Sequence, residues 1–206
     1  MIVYGIKDPP PLYRILRVLG TLLIIAGIVL VLSPLGWVAY TAMAVGPTQT
    51  AALAAWERAA TPAGPAQNPA AGMVVSIPRL DLRRFVPEGA TPDHLRRFGV
   101  GRITWTALPA SPGLLGIAGH RTTYGAPFFR LDTLRRGDAI FIDYNGRRYR
   151  YAVMESQVVR PEQMEVLAAP AGVRGIALVT CTPAYSAAYR LVVLGTLRGV
   201  SDSPAP

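Results

Sequence analysis

The sequence predicts a mainly β domain, a closed or nearly closed, mostly antiparallel barrel with short helical connectors, preceded by one N-terminal transmembrane helix. Three observations carry this. No charged residue occurs from Val18 to Trp56. Asp138 to Tyr144 and Arg147 to Val159 alternate polar and apolar residues on either side of Asn145-Gly146, the strongest short-range hairpin signal. Ile176 to Thr180 and Arg190 to Leu197 are β-branched and aliphatic runs joined through Thr182-Pro183, where proline ends the first strand. With 206 residues, 51% of them apolar, the chain can build one globular domain plus attachments, and it shows no internal repeat.

Crossing the hydrocarbon takes about 20 apolar residues, which the span 18–40 supplies, with Trp37 and Tyr40 placed for an interfacial aromatic belt. Ser33-Pro34 is expected to kink its outer end. Lys7, Arg14 and Arg17 against the single Asp8 predict a cytoplasmic tail over 1–17 and an extracytoplasmic domain beyond the span. A cleaved signal ending at Ala42-Met43-Ala44 is the competing reading, but the apolar run exceeds an ordinary signal core, so a retained anchor is expected.

Residues 41–72 read as a stalk and linker. Gly46 to Ala60 is alanine-rich enough for a short helix, and Thr61 to Gly72 has the Ala/Pro composition of a semi-extended linker. The globular domain is expected over 73–200, followed by a flexible tail over 201–206. Met73 to Ile77 and Asp81 to Val86 are short strands, Thr91 to Phe98 a short helix with Pro92 at its first position, and Pro161 to Ala168 a short helical run.

The one cysteine, Cys181, cannot form an internal disulfide, so it is either buried or reactive. It lies at a strand end, where Val179 and Cys181 share one face, and Arg190, Val192 and Leu194 share a face of the next strand. If these strands form a hairpin, thiol and guanidinium stand together. Upstream, Ala118-Gly119-His120-Arg121 ends another strand. Acyl transfer through a thioester requires a thiol, a proton carrier and an oxyanion stabiliser, and Cys181, His120 and Arg190 are of the right types for one each, while taken singly His120 reads as a structural histidine and Arg190 as a surface salt-bridge partner. At ordinary values about 3% of a thiol is ionised at pH 7 and about a quarter of an imidazole protonated, so such a site must tune these groups or turn over slowly. Papain-like enzymes place the cysteine before the histidine, and the caspase signature is absent. His94 and His120 offer no ligand-pair spacing with Cys181, so neither a metal nor a cofactor is expected, and His94 is read as an exposed residue of the helix.

Leu178-Val179-Thr180-Cys181, Arg190 within Tyr189-Arg190-Leu191-Val192-Val193, Ala118-Gly119-His120-Arg121 and Ser76-Ile77-Pro78-Arg79-Leu80-Asp81-Leu82 resemble the sortases, membrane-anchored cysteine transpeptidases of bacterial surfaces. The resemblance covers Met73 to Val200. It implies an eight-stranded barrel, Cys181 as nucleophile, His120 as general acid/base, and Arg190 as oxyanion stabiliser or substrate-orienting residue. It implies as partners secreted proteins bearing a C-terminal Leu-Pro-X-Thr-Gly-like signal, and an amine from a peptidoglycan precursor or a pilin-like protein. Ala177, Leu115 and Arg102 depart from residues common in the family, namely threonine, asparagine and histidine. Thr182-Pro183 is similar to the pilin-polymerising type, but that type's Asp-Pro-aromatic lid motif is missing between Tyr40 and Met73, and no second span follows Leu197. A single-pass, lidless enzyme is therefore expected. The net charge of +9 fits a domain beside anionic lipids and wall polymers, with no nucleic-acid partner expected. The alternative reading is a surface-displayed binding or structural barrel without catalytic activity.

Overall fold

The computed structural model describes residues 11–59, 72–168 and 172–203. Residues 1–10 of the expected tail, most of the expected linker, Pro170 and the last residues of the chain lie outside these. The chain divides into two units, Met1–Ala39 and Tyr40–Pro206.

The described residues of the first unit form the N-terminal part of one helix, α1, Pro11–Ala59. It is long and apolar enough to cross a membrane, and its large apolar side chains from Leu12 to Leu35 are exposed. The helix runs through Ser33-Pro34. Pro34 cannot donate to the carbonyl of Leu30, and Ser33 Oγ supplies the missing donor at 3.2 Å.

The second unit holds the rest of α1 and the barrel. Its sheet has eight strands in the order β2-β1-β5-β6-β8-β7-β4-β3. They are β1 Met73–Ile77, β2 Leu82–Val86, β3 Val100–Arg102, β4 Gly113–Gly119, β5 Ala139–Tyr144, β6 Arg147–Val159, β7 Arg174–Thr182 and β8 Tyr189–Asp202. All pairs are antiparallel except β4 with β7. Between the terminal strands the cylinder is nearly closed by a bridge from Glu88 to Arg102 and by the Arg102 amide donating to Pro87 O at 3.0 Å.

Local chemistry explains the turns. Asn145 and Gly146 both take positive φ, 49° and 72°, as a tight hairpin turn of matching twist demands. Helix α2, Pro92–Phe98, starts where Thr91 Oγ1 accepts from His94 N, and it stops at Gly99 in the left-handed conformation. The interior is filled from alternate positions of every strand, among them Val75, Leu115, Ile140, Tyr151, Leu178 and Val193. A smaller cluster lies on the other face of the sheet, where Leu114 of β4, Ala177 and Val179 of β7 and Val192 of β8 pack with Ile103 and Leu167. That second face carries the site.

The alanine-rich stretch expected to form a short helix is helical through Ala59 as the continuation of α1, and it lies against the barrel. Gln49 is 4% exposed and bonds to β2, where Phe85 N donates to its Oε1 at 2.9 Å. Nothing in 41–59 beyond Pro47 interrupts an alanine-rich helix, and the barrel supplies a surface for it.

Candidate active site

Cys181 is the penultimate residue of β7, half-buried, and its cross-strand partner in β8 is Arg190. Alternation puts Cys181 on the face of Ala177 and Val179, outside the barrel interior. The neighbour Thr180 points inward, buried, and its Oγ1 donates to Gly119 O at 2.8 Å. On the other side of β7, β4 runs parallel, and the last paired residues are Ala118 and Val179. Continuing that register by two residues brings His120 alongside Cys181. The three residues singled out in the sequence thus meet at the ends of three adjacent strands, β4, β7 and β8.

His120 is half-buried and held by its main chain, its N–H donating to Gly99 O at 2.9 Å and its carbonyl accepting from Phe128 N at 3.1 Å. Its ring lies against Tyr124, centroids 4.8 Å apart, and Nδ1 is 3.5 Å from Thr123 Oγ1. Nε2 is buried and has no partner among the described residues. Burial, with a smaller contribution from the charge of Arg96, holds the imidazole below its ordinary pKa.

The folded chain therefore resists a proton that the unfolded chain accepts. Stability is expected to be full above about pH 6.5 and to fall as pH drops below it. Denaturation midpoints between pH 5 and 7 check this, and His120→Gln should flatten the profile. Arg96→Gln should move the His120 titration upward by removing a nearby positive charge.

Arg190 is partly exposed. Its Nη1 donates to Ala187 O at 3.0 Å and Tyr189 O at 3.1 Å, and no carboxylate pairs with it among the described residues. The guanidinium is seated by its own turn, with its charge uncompensated and Nε and Nη2 unused. Arg121 is the opposite case. It is 7% exposed, pairs with Asp132 at 2.9 Å, and donates from Nη1 to Thr182 Oγ1 at 3.3 Å. It ties the end of β4 to the end of β7 beside the cysteine. Nothing in the sequence marks this role except strand alternation, which sends Arg121 to the face opposite His120.

The other flagged residues are elsewhere. His94 sits on α2 with Nδ1 3.2 Å from Gly89 O and its ring edge-on to Phe98. Arg102 is 6% exposed, forks onto Glu88 and donates to the carbonyls of Ile103, Thr104 and Thr106, so it pins the β3–β4 connection. No group of three or more His, Cys, Asp or Glu side chains suited to a metal occurs among the described residues.

Gly99, at the end of α2, packs against the loop that follows His120. Its φ is +76°, and a Cβ there would stand 2.6 Å from Tyr124 O. Gly99→Ala is expected to cost on the order of 2–3 kcal/mol, through the left-handed backbone and the overlap together. Urea denaturation measures it directly.

A model of the sortase domain matches residues 75–198. Sortase SrtE1 of Streptomyces coelicolor is 33% identical over 138 residues, covering 60% of this chain and 39% of that protein. Sortase SrtE2 of the same organism is 35% identical over 103 residues, covering 44% and 40%. The chain thus spans about two fifths of the length of these curated relatives. The crystal structure of sortase E1 from Streptomyces coelicolor, with a tripeptide in its active site, superposes with a TM-score of 0.60 at 31% identity, over 64% of this chain and 90% of that one.

Proposed function

The chain belongs to the sortase family of transpeptidases, and from that premise we propose that it is a membrane-anchored enzyme that cleaves a C-terminal Leu-Pro-X-Thr-Gly-like signal and passes the shortened protein to an amine. In this reading the Cys181 thiolate attacks the scissile carbonyl. The negative charge that develops on the carbonyl oxygen is met by the free edge of Arg190. The C–N bond breaks as the departing amine takes a proton from His120, leaving a thioester on Sγ. The acceptor amine then attacks, gives up a proton to His120, and the thiolate leaves. Water in place of the amine gives hydrolysis.

The observation that supports the reading most is the register, with Cys181 opposite Arg190 and His120 two residues past the β4–β7 pairs on the same outer face. The depressed basicity of His120 favours a neutral imidazole at rest, able to take the thiol proton as attack begins.

The topology proposed with this function is a cytoplasmic tail over 1–17, a retained anchor over 18–40, a connecting segment over 41–72, the catalytic domain over 73–200 and a tail over 201–206, with the catalytic domain outside the membrane. Candidate acceptors are the amine of a peptidoglycan precursor or of a pilin-like protein. Incubating the chain with signal peptides and an amine, then weighing the intact protein, tests the function. An acyl adduct on Cys181 that disappears on adding amine is expected, and no adduct with any signal would leave a non-catalytic surface barrel.

A further inference from the structure

We propose that Thr41, Val45 and Gln49 of α1 are positioning residues for His120, so that the helix clamps the loop carrying the imidazole. The kinetic consequence rests on the transpeptidase reading, and the structural consequence does not.

The loop after His120 is one that needs outside support. Tyr124, Gly125 and Ala126 take φ of 51°, 77° and 42° in succession. For tyrosine and alanine this region is costly, and it persists only where surroundings impose it. The surroundings are supplied by α1. Tyr124 N donates to Thr41 Oγ1 at 3.2 Å. Val45 is 3% exposed and covers Gly125, whose missing Cβ would stand 3.5 Å from Val45 Cγ1. Gln49 spends its whole amide on backbone, donating from Nε2 to Phe85 O at 2.9 Å and Phe98 O at 2.6 Å while Oε1 accepts from Phe85 N at 2.9 Å.

The spacing of 41, 45 and 49 places all three on one face of the helix. Their contacts reach His120 by two routes. Tyr124, held by Thr41, packs its ring against the imidazole at a tilt of 37°. Phe98, held by Gln49, precedes Gly99, whose carbonyl accepts the hydrogen bond from the His120 amide. Ring and main chain are thus gripped from the same helix. A buried threonine and glutamine in an otherwise alanine-rich stretch would be expensive without partners, so these contacts specify where the helix lies and do more than cover the barrel. The ion pair of Glu57 with Arg83 at 2.6 Å, further along and more exposed, adds little.

The test uses the full chain in detergent micelles, with Thr41→Val, Thr41→Ser and Gln49→Leu. The readouts are the His120 titration by NMR, simple to follow because the chain has two histidines, kcat and KM for a signal peptide, and the thermal midpoint. Thr41→Val and Gln49→Leu are expected to raise the His120 pKa towards its ordinary value as the ring loses its buried seat. They should lower kcat by about tenfold to a hundredfold with KM unchanged, since a small misplacement of the proton carrier acts on the chemical step. Thr41→Ser keeps the acceptor and should behave as the native chain. If Gln49→Leu fails to fold, the Thr41 pair decides alone. A native titration and kcat in Thr41→Val, or equal impairment in Thr41→Ser, overturns the proposal. Should the native chain form no acyl-enzyme at all, the transpeptidase reading falls, and the titration still decides the positioning role.

Discussion

Cys181→Ala should form no acyl-enzyme and release no cleaved signal peptide at any pH, because the chain has no second thiol to take its place. The substitution removes one sulfur from a half-buried site whose Sγ makes no hydrogen bond among the described residues, so the barrel should retain its thermal midpoint. Loss of function would then report the chemistry and not the fold. His120→Gln gives the contrast. It leaves the thiol in place, so iodoacetamide should still alkylate Cys181, while turnover of an amide substrate falls because the leaving amine gets no proton. A thioester or activated ester substrate needs no such proton and should recover part of the acylation rate. Intact mass after alkylation and single-turnover acylation of both substrates separate the two roles. An adduct formed by Cys181→Ala would move the nucleophile elsewhere.

The Cys181 and Arg190 pairing was legible because every signal for it is local. Proline after Thr182 ends one strand, alternation assigns faces, and a short connection leaves antiparallel pairing as the natural outcome. The Asn145-Gly146 turn and the α2 boundaries at Thr91-Pro92 and Gly99 were readable for the same reason. The placement of His120 was not. It depends on β4 choosing β7 as a parallel neighbour across the long intervening β5–β6 hairpin, and neither periodicity nor turn chemistry encodes a partner that distant. Arg121 and Arg102 were hidden differently. Each is one among 21 basic residues, and its burial becomes apparent only with its distant contacts, Asp132 and Thr182 for one and Glu88 for the other. The packing of α1 on the barrel was hidden by composition. Alanine, glycine and threonine give little contrast between faces, so composition does not set Thr41 and Gln49 apart from their neighbours in this stretch.

Arg190→Lys is expected to lower the acylation rate by about a hundredfold to a thousandfold, as removal of one donor to a developing oxyanion does elsewhere. The native guanidinium has two tasks at once. Nη1 is committed to the carbonyls of Ala187 and Tyr189, which fixes the side chain over its own turn, while Nε and Nη2 remain to meet an oxygen. A lysine ammonium keeps the charge but has no planar fork, so it cannot hold the turn and present two aligned donors in the same pose. Arg121 cannot take over. Its charge is met by Asp132 and its Nη1 by Thr182, and turning it outward would leave a buried site between β4 and β7 without its tie. Arg190→Ala should lose at least as much as Arg190→Lys, and both should keep an alkylatable Cys181. Single-turnover acylation by a signal peptide measures the drop. Near-native acylation in Arg190→Lys would reduce the residue to a point charge beside the thiolate, and near-native acylation in Arg190→Ala would leave the site to Cys181 and His120 alone.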